Sequence, residues 1–189
     1  MKPSTLKRLA PRALGMAALL VLGPAAAKDR SPEDERTYLY LRTPQNAYTV
    51  QVVDNTLTSP DFQLSYSDGE LRGRAFGRVV FLRVGEDSVG GTVGSQLARL
   101  QLKEQDGGTH VQGNFLGTLV NLDLGPQGLS GTVGRCGYDL KATPDGTYEG
   151  SRSCGGIPQR PVLLAIPAHL TEQGTPLTVT TLAMLLGSV

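Results

Sequence analysis

Tryptophan is absent from this 189-residue chain, aromatic residues make up only 5% of it, and cysteine and histidine occur twice each. Each scarcity excludes something. His110 and His169 stand in unrelated contexts. With no His-x-His, His-Glu-x-x-His or Cys-x-x-Cys spacing, no metal-ligating motif is present. The Asp-x-Asp pattern of a calcium loop is missing too. Gly-x-Ser-x-Gly does not occur, since Gly85-Glu86-Asp87-Ser88-Val89-Gly90 misses its spacing by one and reads as a hairpin turn. Gly90-Gly91-Thr92-Val93-Gly94 lacks both the lysine and the strand-to-helix setting of a phosphate loop. Ser88, His110 and Asp106 can be composed into a triad on paper, as any chain allows. Asp123, Asp139 and Glu149 can be composed into a glycosidase pair. Asp106 has an ordinary turn role, however, and the three carboxylates fall on the polar face of alternating segments. We expect no catalytic residue, no metal and no cofactor.

Long apolar runs are also missing. The longest, Ala13 to Gly23, is too short for the roughly 20 residues that span a bilayer. It follows Lys2, Lys7, Arg8 and Arg12, with no acidic residue, and precedes Pro24 and the small triplet Ala25-Ala26-Ala27. That layout is a secretory signal peptide over 1–27, cleaved after Ala27. No Cys sits at the cut to carry a lipid. Cleavage removes four of the 18 Lys and Arg and none of the 17 Asp and Glu, so the formal charge moves from +1 to −3. A nucleic-acid partner thereby loses its electrostatic support. Residues 28–36, Lys28-Asp29-Arg30-Ser31-Pro32-Glu33-Asp34-Glu35-Arg36, read as a charged, solvated arm.

From Tyr38 onward the period is two. Phe62, Leu64 and Tyr66 alternate with Gln63, Ser65 and Ser67, and Val120, Leu122 and Leu124 alternate with Asn121 and Asp123. Turn signals separate such runs, among them Ser67-Asp68-Gly69, Asp106-Gly107-Gly108 and Pro144-Asp145-Gly146. A unit of about 40 residues recurs, as 73–112 and 113–149. Gly73, Gly77, Gly91 and Gly94 of the first copy match Gly113, Gly117, Gly131 and Gly134 of the second. A parity change between Val93 and Ala98, repeated between Val133 and Tyr138, suggests bulges near Gly94 and Gly134. Past residue 160 a buried strand over 161–167 is expected. Thr175-Pro176 then reads as a cap and first turn, opening a short helix near 176–186 that stops at Gly187 and covers one end of the sheet.

The two cysteines acquire a register from the turn between them. Thr143-Pro144-Asp145-Gly146 suits a three-residue hairpin loop that pairs Thr143 with Thr147. Opposed residues then sum to 290, so Lys141 faces Glu149, Tyr138 faces Arg152 and Cys136 faces Cys154. The even positions are the close, non-hydrogen-bonded pairs, within reach of a disulfide. One cluster stands out by charge: Arg72, Arg74, Arg78 and Arg83 fall close together in an acidic mature chain. They form either an anion patch, for an acidic glycan, lipid A or phospholipid headgroups, or a solvated or ion-paired strand edge kept from edge-to-edge pairing by charge. The second reading is preferred.

The expected fold class is all-β. It is an antiparallel meander of ten to twelve strands with a duplicated unit, curled into a barrel or sandwich, in a single domain over 37–189. A membrane-spanning barrel is disfavoured by short strands and few aromatics. The signal peptide and the lack of any Asn-x-Ser/Thr sequon point to a bacterial envelope protein in the periplasm, on the outer surface or outside the cell. It would be a non-enzymatic structural, assembly or surface-binding module, with an envelope protein, glycan or lipid as partner. A small barrel carrying lipid or glycan is the first alternative, and a small secreted hydrolase the second. What faces inward discriminates them.

Overall fold

The computed structural model describes residues 37–188, so the signal-peptide and charged-arm readings lie outside the described residues. Among these residues fourteen strands follow one another. They are β1 (Tyr38–Arg42), β2 (Ala47–Val53), β3 (Thr56–Thr58), β4 (Phe62–Ser67), β5 (Glu70–Ala75), β6 (Arg78–Val84) and β7 (Ser88–Val93), then β8 (Gln96–Gln105), β9 (Gly108–Phe115), β10 (Thr118–Gly125), β11 (Gly128–Val133), β12 (Cys136–Ala142), β13 (Thr147–Cys154) and β14 (Ile157–Ala165). Each pairs antiparallel with its neighbours in sequence. The barrel closes where β1 meets β14, through Tyr40 opposite Ala165, Leu41 opposite Leu164 and Arg42 opposite Leu163. Two helices follow, α1 (Ala168–Glu172) and α2 (Thr175–Leu186).

The period of two sorts each strand between lumen and solvent. In β6, Val80, Leu82 and Val84 are buried while Val79, Phe81 and Arg83 are exposed; in β10, Val120 and Leu122 are buried while Asn121 and Asp123 are exposed. The outer wall is thus largely polar and the lumen apolar, the reverse of the arrangement a bilayer-spanning barrel presents.

Fourteen strands replace the expected ten to twelve because several hairpins turn on two residues that carry no Asn-Gly or Asp-Gly signal. Phe76-Gly77, Gly94-Ser95, Leu116-Gly117 and Gly134-Arg135 are such turns, flanked by the pairs Ala75 with Arg78, Val93 with Gln96, Phe115 with Thr118 and Val133 with Cys136. A two-residue loop pairs odd positions with even ones, so the parity changes at Gly94 and Gly134 are turns rather than the expected bulges. A register shift does occur between β13 and β14, between Gly150 and Arg152. Curvature comes from glycines on every second strand. Cβ atoms at Gly73, Gly91, Gly113, Gly131 and Gly150 would stand 2.0–2.1 Å from a carbonyl oxygen of the preceding strand, so only glycine permits this close approach.

The helix is the main departure from expectation. A barrel of about eight strands fills itself with side chains, and one of about sixteen encloses a channel. Fourteen strands leave a gap, and α2 occupies it. All ten residues from Leu177 to Leu186 are buried. The helix therefore does not lie over an end of the sheet but runs through the lumen. At one end α1 packs by the β2–β3 turn, where His169 and Gln173 reach the Asp54 carbonyl; we call this the entry end. At the other, the exit end, Gly187 lies against Leu116 and Val133. Twelve helical residues span about 18 Å, which matches the height of seven-residue strands tilted by about 40°. A helix apolar on every side suits burial on every side. Its threonines comply by bonding their own backbone. Thr178 donates to the Leu170 and Gly174 carbonyls, Thr180 to Pro176 and Thr181 to Leu177. The residue before the helix is Gly174 at φ 110°, while Thr175 lies inside the first turn and makes no capping bond.

Candidate functional site

β12 and β13 pair in the register read from their turn. Lys141 faces Glu149, Tyr138 faces Arg152 and Cys136 faces Cys154. The Cα atoms of the cysteine pair are 4.1 Å apart and the sulfurs are at bonding distance, 2.05 Å. The bond lies beside the exit end and has no second thiol near it, which makes it a staple rather than a redox site.

Ser88, His110 and Asp106, the triad that can be composed on paper, are not brought together. His110 Nδ1 lies 2.7 Å from Asp123 Oδ1, across β9 and β10. Ser130 neighbours Asp123 and Lys103 neighbours His110. The order along the wall is therefore Lys, His, Asp, Ser, with the acid rather than the imidazole in the middle, and no serine reaches the ring. Ser88 Oγ instead donates to Asp87, and Asp106 sits in the β8–β9 turn. His169 bonds the Asp54 carbonyl from α1. Asp139 and Glu149 share a shallow depression of about 300 Å³ on the outer wall with Lys141 and Arg160. Among the described residues no group of three or more His, Cys, Asp or Glu is placed to hold a metal ion. No helix among them is long and apolar enough to cross a membrane.

Arg72 and Arg74 of β5, with Arg83 of β6, are exposed on one stretch of outer wall, whereas Arg78 of β6 stands at the exit mouth opposite Ala75. Arg72 pairs with Glu70 and lies 4.8 Å from the centre of the Phe81 ring; Arg83 stands 3.7 Å from the same carboxylate. Arg78 donates to Gln96 at 3.3 Å. The cluster is solvated, and ion-paired at Arg72 and Arg83, as one half of the preferred reading has it; the strand edge it was to protect does not exist. The barrel is closed, and β5 and β6 are paired on both sides. Sequence reasoning also missed Arg99. Gly90 of β7 is the cross-strand neighbour of both Arg83 and Arg99, so only a glycine separates the two arginines along the wall.

A further cation, Arg152, points inward and is only 5% exposed. It donates to Gln159 Oε1 at 3.0 and 2.8 Å, and its Nη1 has no hydrogen-bond partner among the described residues. Alongside it, the Tyr138 hydroxyl donates to the Leu186 carbonyl at 2.9 Å, joining the wall to the end of α2. Burial pushes the Tyr138 phenol above its usual value, and the neighbouring Arg152 charge only partly opposes this. The unpaired carbonyls at a helix C-terminus favour a cation. The last turn of α2 carries no basic residue of its own, and Arg152 brings a positive charge to that end of the lumen.

The two ends of the barrel differ. The entry-end turns carry Asp54, Asp68, Glu86, Asp87, Asp106 and Asp145, and no Lys or Arg. The exit-end turns carry one acidic residue, Asp61, together with Arg135, and Arg78 follows directly on Gly77. Phe76 and Leu116, at φ 50° and 54°, lean over the exit mouth. With Met184 and Gly187 they line a depression of about 220 Å³. Positive φ is unusual for side chains this large, and here it accompanies their packing over the lumen. Phe76 meets Phe62 and Tyr48 edge to face, with ring centres 5.0 and 5.8 Å apart.

Fold and surface define a class: a closed fourteen-stranded meander barrel filled by its own helix, with chemically opposite ends. No family model, curated protein or solved structure matches the chain.

Proposed function

We propose that the protein is an exported, non-enzymatic module of the bacterial envelope that works through its outer surface. The observation that carries this reading is the filled lumen. Leu177 to Leu186 occupy the space where a carrier barrel would hold a lipid or glycan, and among the described residues no cleft gathers a nucleophile with a base. The Cys136–Cys154 pair supports export, since structural disulfides belong to oxidising compartments. So does the signal pattern ending at Ala27. The glycines that recur about 40 residues apart in the sequence, read as a duplicated unit, favour the view that the wall is a scaffold. Gly73 and Gly113 share φ values of 138° and 155°, and Gly91 and Gly131 share 150° and 120°. The test is expression of the full chain in a Gram-negative host, osmotic-shock release and N-terminal sequencing. A released chain beginning at Lys28 is expected. A chain beginning at Met1 and retained inside the cell overturns the reading.

A further inference from the structure

We infer that the exit end of the barrel docks on the surface of an anionic phospholipid bilayer, with the acidic entry end facing away. This names the surface that the proposed module binds, and in that respect it rests on that reading.

The first support is the placement of exposed apolar side chains. Val79, Leu97 and Leu119 each stand two residues beyond an exit-end turn, on β6, β8 and β10, and Ile157 stands one beyond its turn on β14. Phe81 lies next to Val79 on the same face of β6. Leu97, Leu119 and Ile157 are more than 70% exposed. Of the large exposed apolar residues described, four lie at this rim, Phe81 lies midway along its strand and Val53 lies at the other end. The alternation that clears apolar side chains from the outer wall elsewhere is relaxed at one end.

The second support is charge. Arg74 is the cross-strand neighbour of Val79, Arg78 lies immediately before it, and Arg135 occupies the β11–β12 turn. Six acidic side chains crowd the opposite set of turns. The molecule is therefore an axial dipole whose positive end is also its apolar end. An anionic surface attracts that end and repels the other.

The third support is shape. Val79, Leu97 and Leu119 recur on every second strand, about 10 Å apart around a convex rim, and Ile157 stands four strands further on. They form no continuous patch that one pocket of a folded partner would fill. A fluid headgroup layer receives separate side chains one by one, with arginines placed at the level of the phosphates.

The experiment is co-sedimentation of the purified chain with vesicles of equal parts phosphatidylcholine and phosphatidylglycerol, with phosphatidylcholine vesicles and dextran sulfate resin alongside. Binding to the anionic vesicles alone is expected, weakening as salt rises from about 0.1 to 0.5 M. Each basic residue near such a surface is worth about fivefold in affinity. Arg78→Gln with Arg135→Gln should therefore weaken binding by about 25-fold. Leu97→Ser with Leu119→Ser should weaken it as well, which a purely ionic attachment would not show. Asp68→Asn with Asp106→Asn, at the far end, should weaken nothing. All three double variants replace exposed residues, and their melting curves report that they fold. Failure to sediment with anionic vesicles overturns the inference. Binding to dextran sulfate that ignores the leucine variants overturns it in favour of an acidic glycan. Failed sedimentation by a chain whose exported form begins at Lys28 overturns the inference while leaving the proposed function standing. Sedimentation by a chain that is never exported does the reverse.

Discussion

Gly131→Ala isolates the device that curls the sheet. Gly131 lies in β11 between Leu122 and Tyr138, at φ 120°. A Cβ there would stand 2.1 Å from the Asn121 carbonyl oxygen and 2.9 Å from the Leu122 Cα. Both are backbone atoms, so neither can swing aside as the tip of a flexible side chain would. Relief requires β10 and β11 to part by about 1 Å, which weakens ladder hydrogen bonds worth about 1 kcal/mol each. The left-handed backbone adds about 1–2 kcal/mol for a residue with a Cβ. Together these make a loss of about 3–5 kcal/mol, near the upper end for one substitution. Gly107→Ala is the control. It also has positive φ, 78°, but nothing lies within 4 Å of its added Cβ, so only the backbone cost of about 1 kcal/mol remains. In urea, with a slope of about 2 kcal/mol/M, the midpoint should fall by about 2 M for Gly131→Ala and by about 0.5 M for Gly107→Ala. Equal shifts would refute the claim that close strand approach is what demands glycine.

Two further perturbations address the exit end. The Cys136–Cys154 bond closes a separation of 18 residues, worth about 3 kcal/mol on chain-entropy reasoning. Reductant, or Cys136→Ala with Cys154→Ala, should therefore lower Tm by about 10 °C, and an unchanged melt in reductant would rule out a stabilising bond. Tyr138 makes an alkaline prediction. Its folded pKa is raised above the usual value near 10, so its contribution is intact below that pH. It is lost as pH rises toward the folded value, because the unfolded chain ionises first. Tyr138→Phe should flatten the stability decline above about pH 10, measured by urea midpoints at successive pH values. A decline identical to wild type would place its cause elsewhere.

How legible the fold was depended on whether a local signal marked each turn. Thr143-Pro144-Asp145-Gly146 constrains its own geometry, and from it the pairing of β12 with β13 follows to the residue. Phe76-Gly77 and Leu116-Gly117 offer no such mark. Their first residues are bulky, they adopt positive φ within a closed barrel, and strand-level patterning passes over them. The same silence turned the hairpins at Gly94 and Gly134 into supposed bulges. The apolar helix was visible in Leu177, Val179, Leu182 and Met184, but its place in the lumen was not, because interior volume depends on a strand count that no single segment reveals. The arginines of β5 and β6 were countable from sequence. Arg99, and the apolar residues along the rim, joined them only through register.

The position of α2 also bears on assembly. The helix comes after all fourteen strands in the chain, and it lies in the lumen that the pairing of β1 with β14 closes. Successive hairpins can form as neighbours meet, since their contacts are local. Pairing of β1 with β14 joins the two ends of the sheet across three residue pairs, and of all the strand pairings it closes the longest loop of chain. Until then the sheet is an open trough with a wet apolar floor and two unpaired edges, a state prone to association with other chains. Once shut, the seam acts as a latch. Phe76 and Leu116 roof the exit mouth ahead of the helix, and withdrawal toward the entry end would bring ten buried residues into water, so burial inside the shut wall holds the core in place.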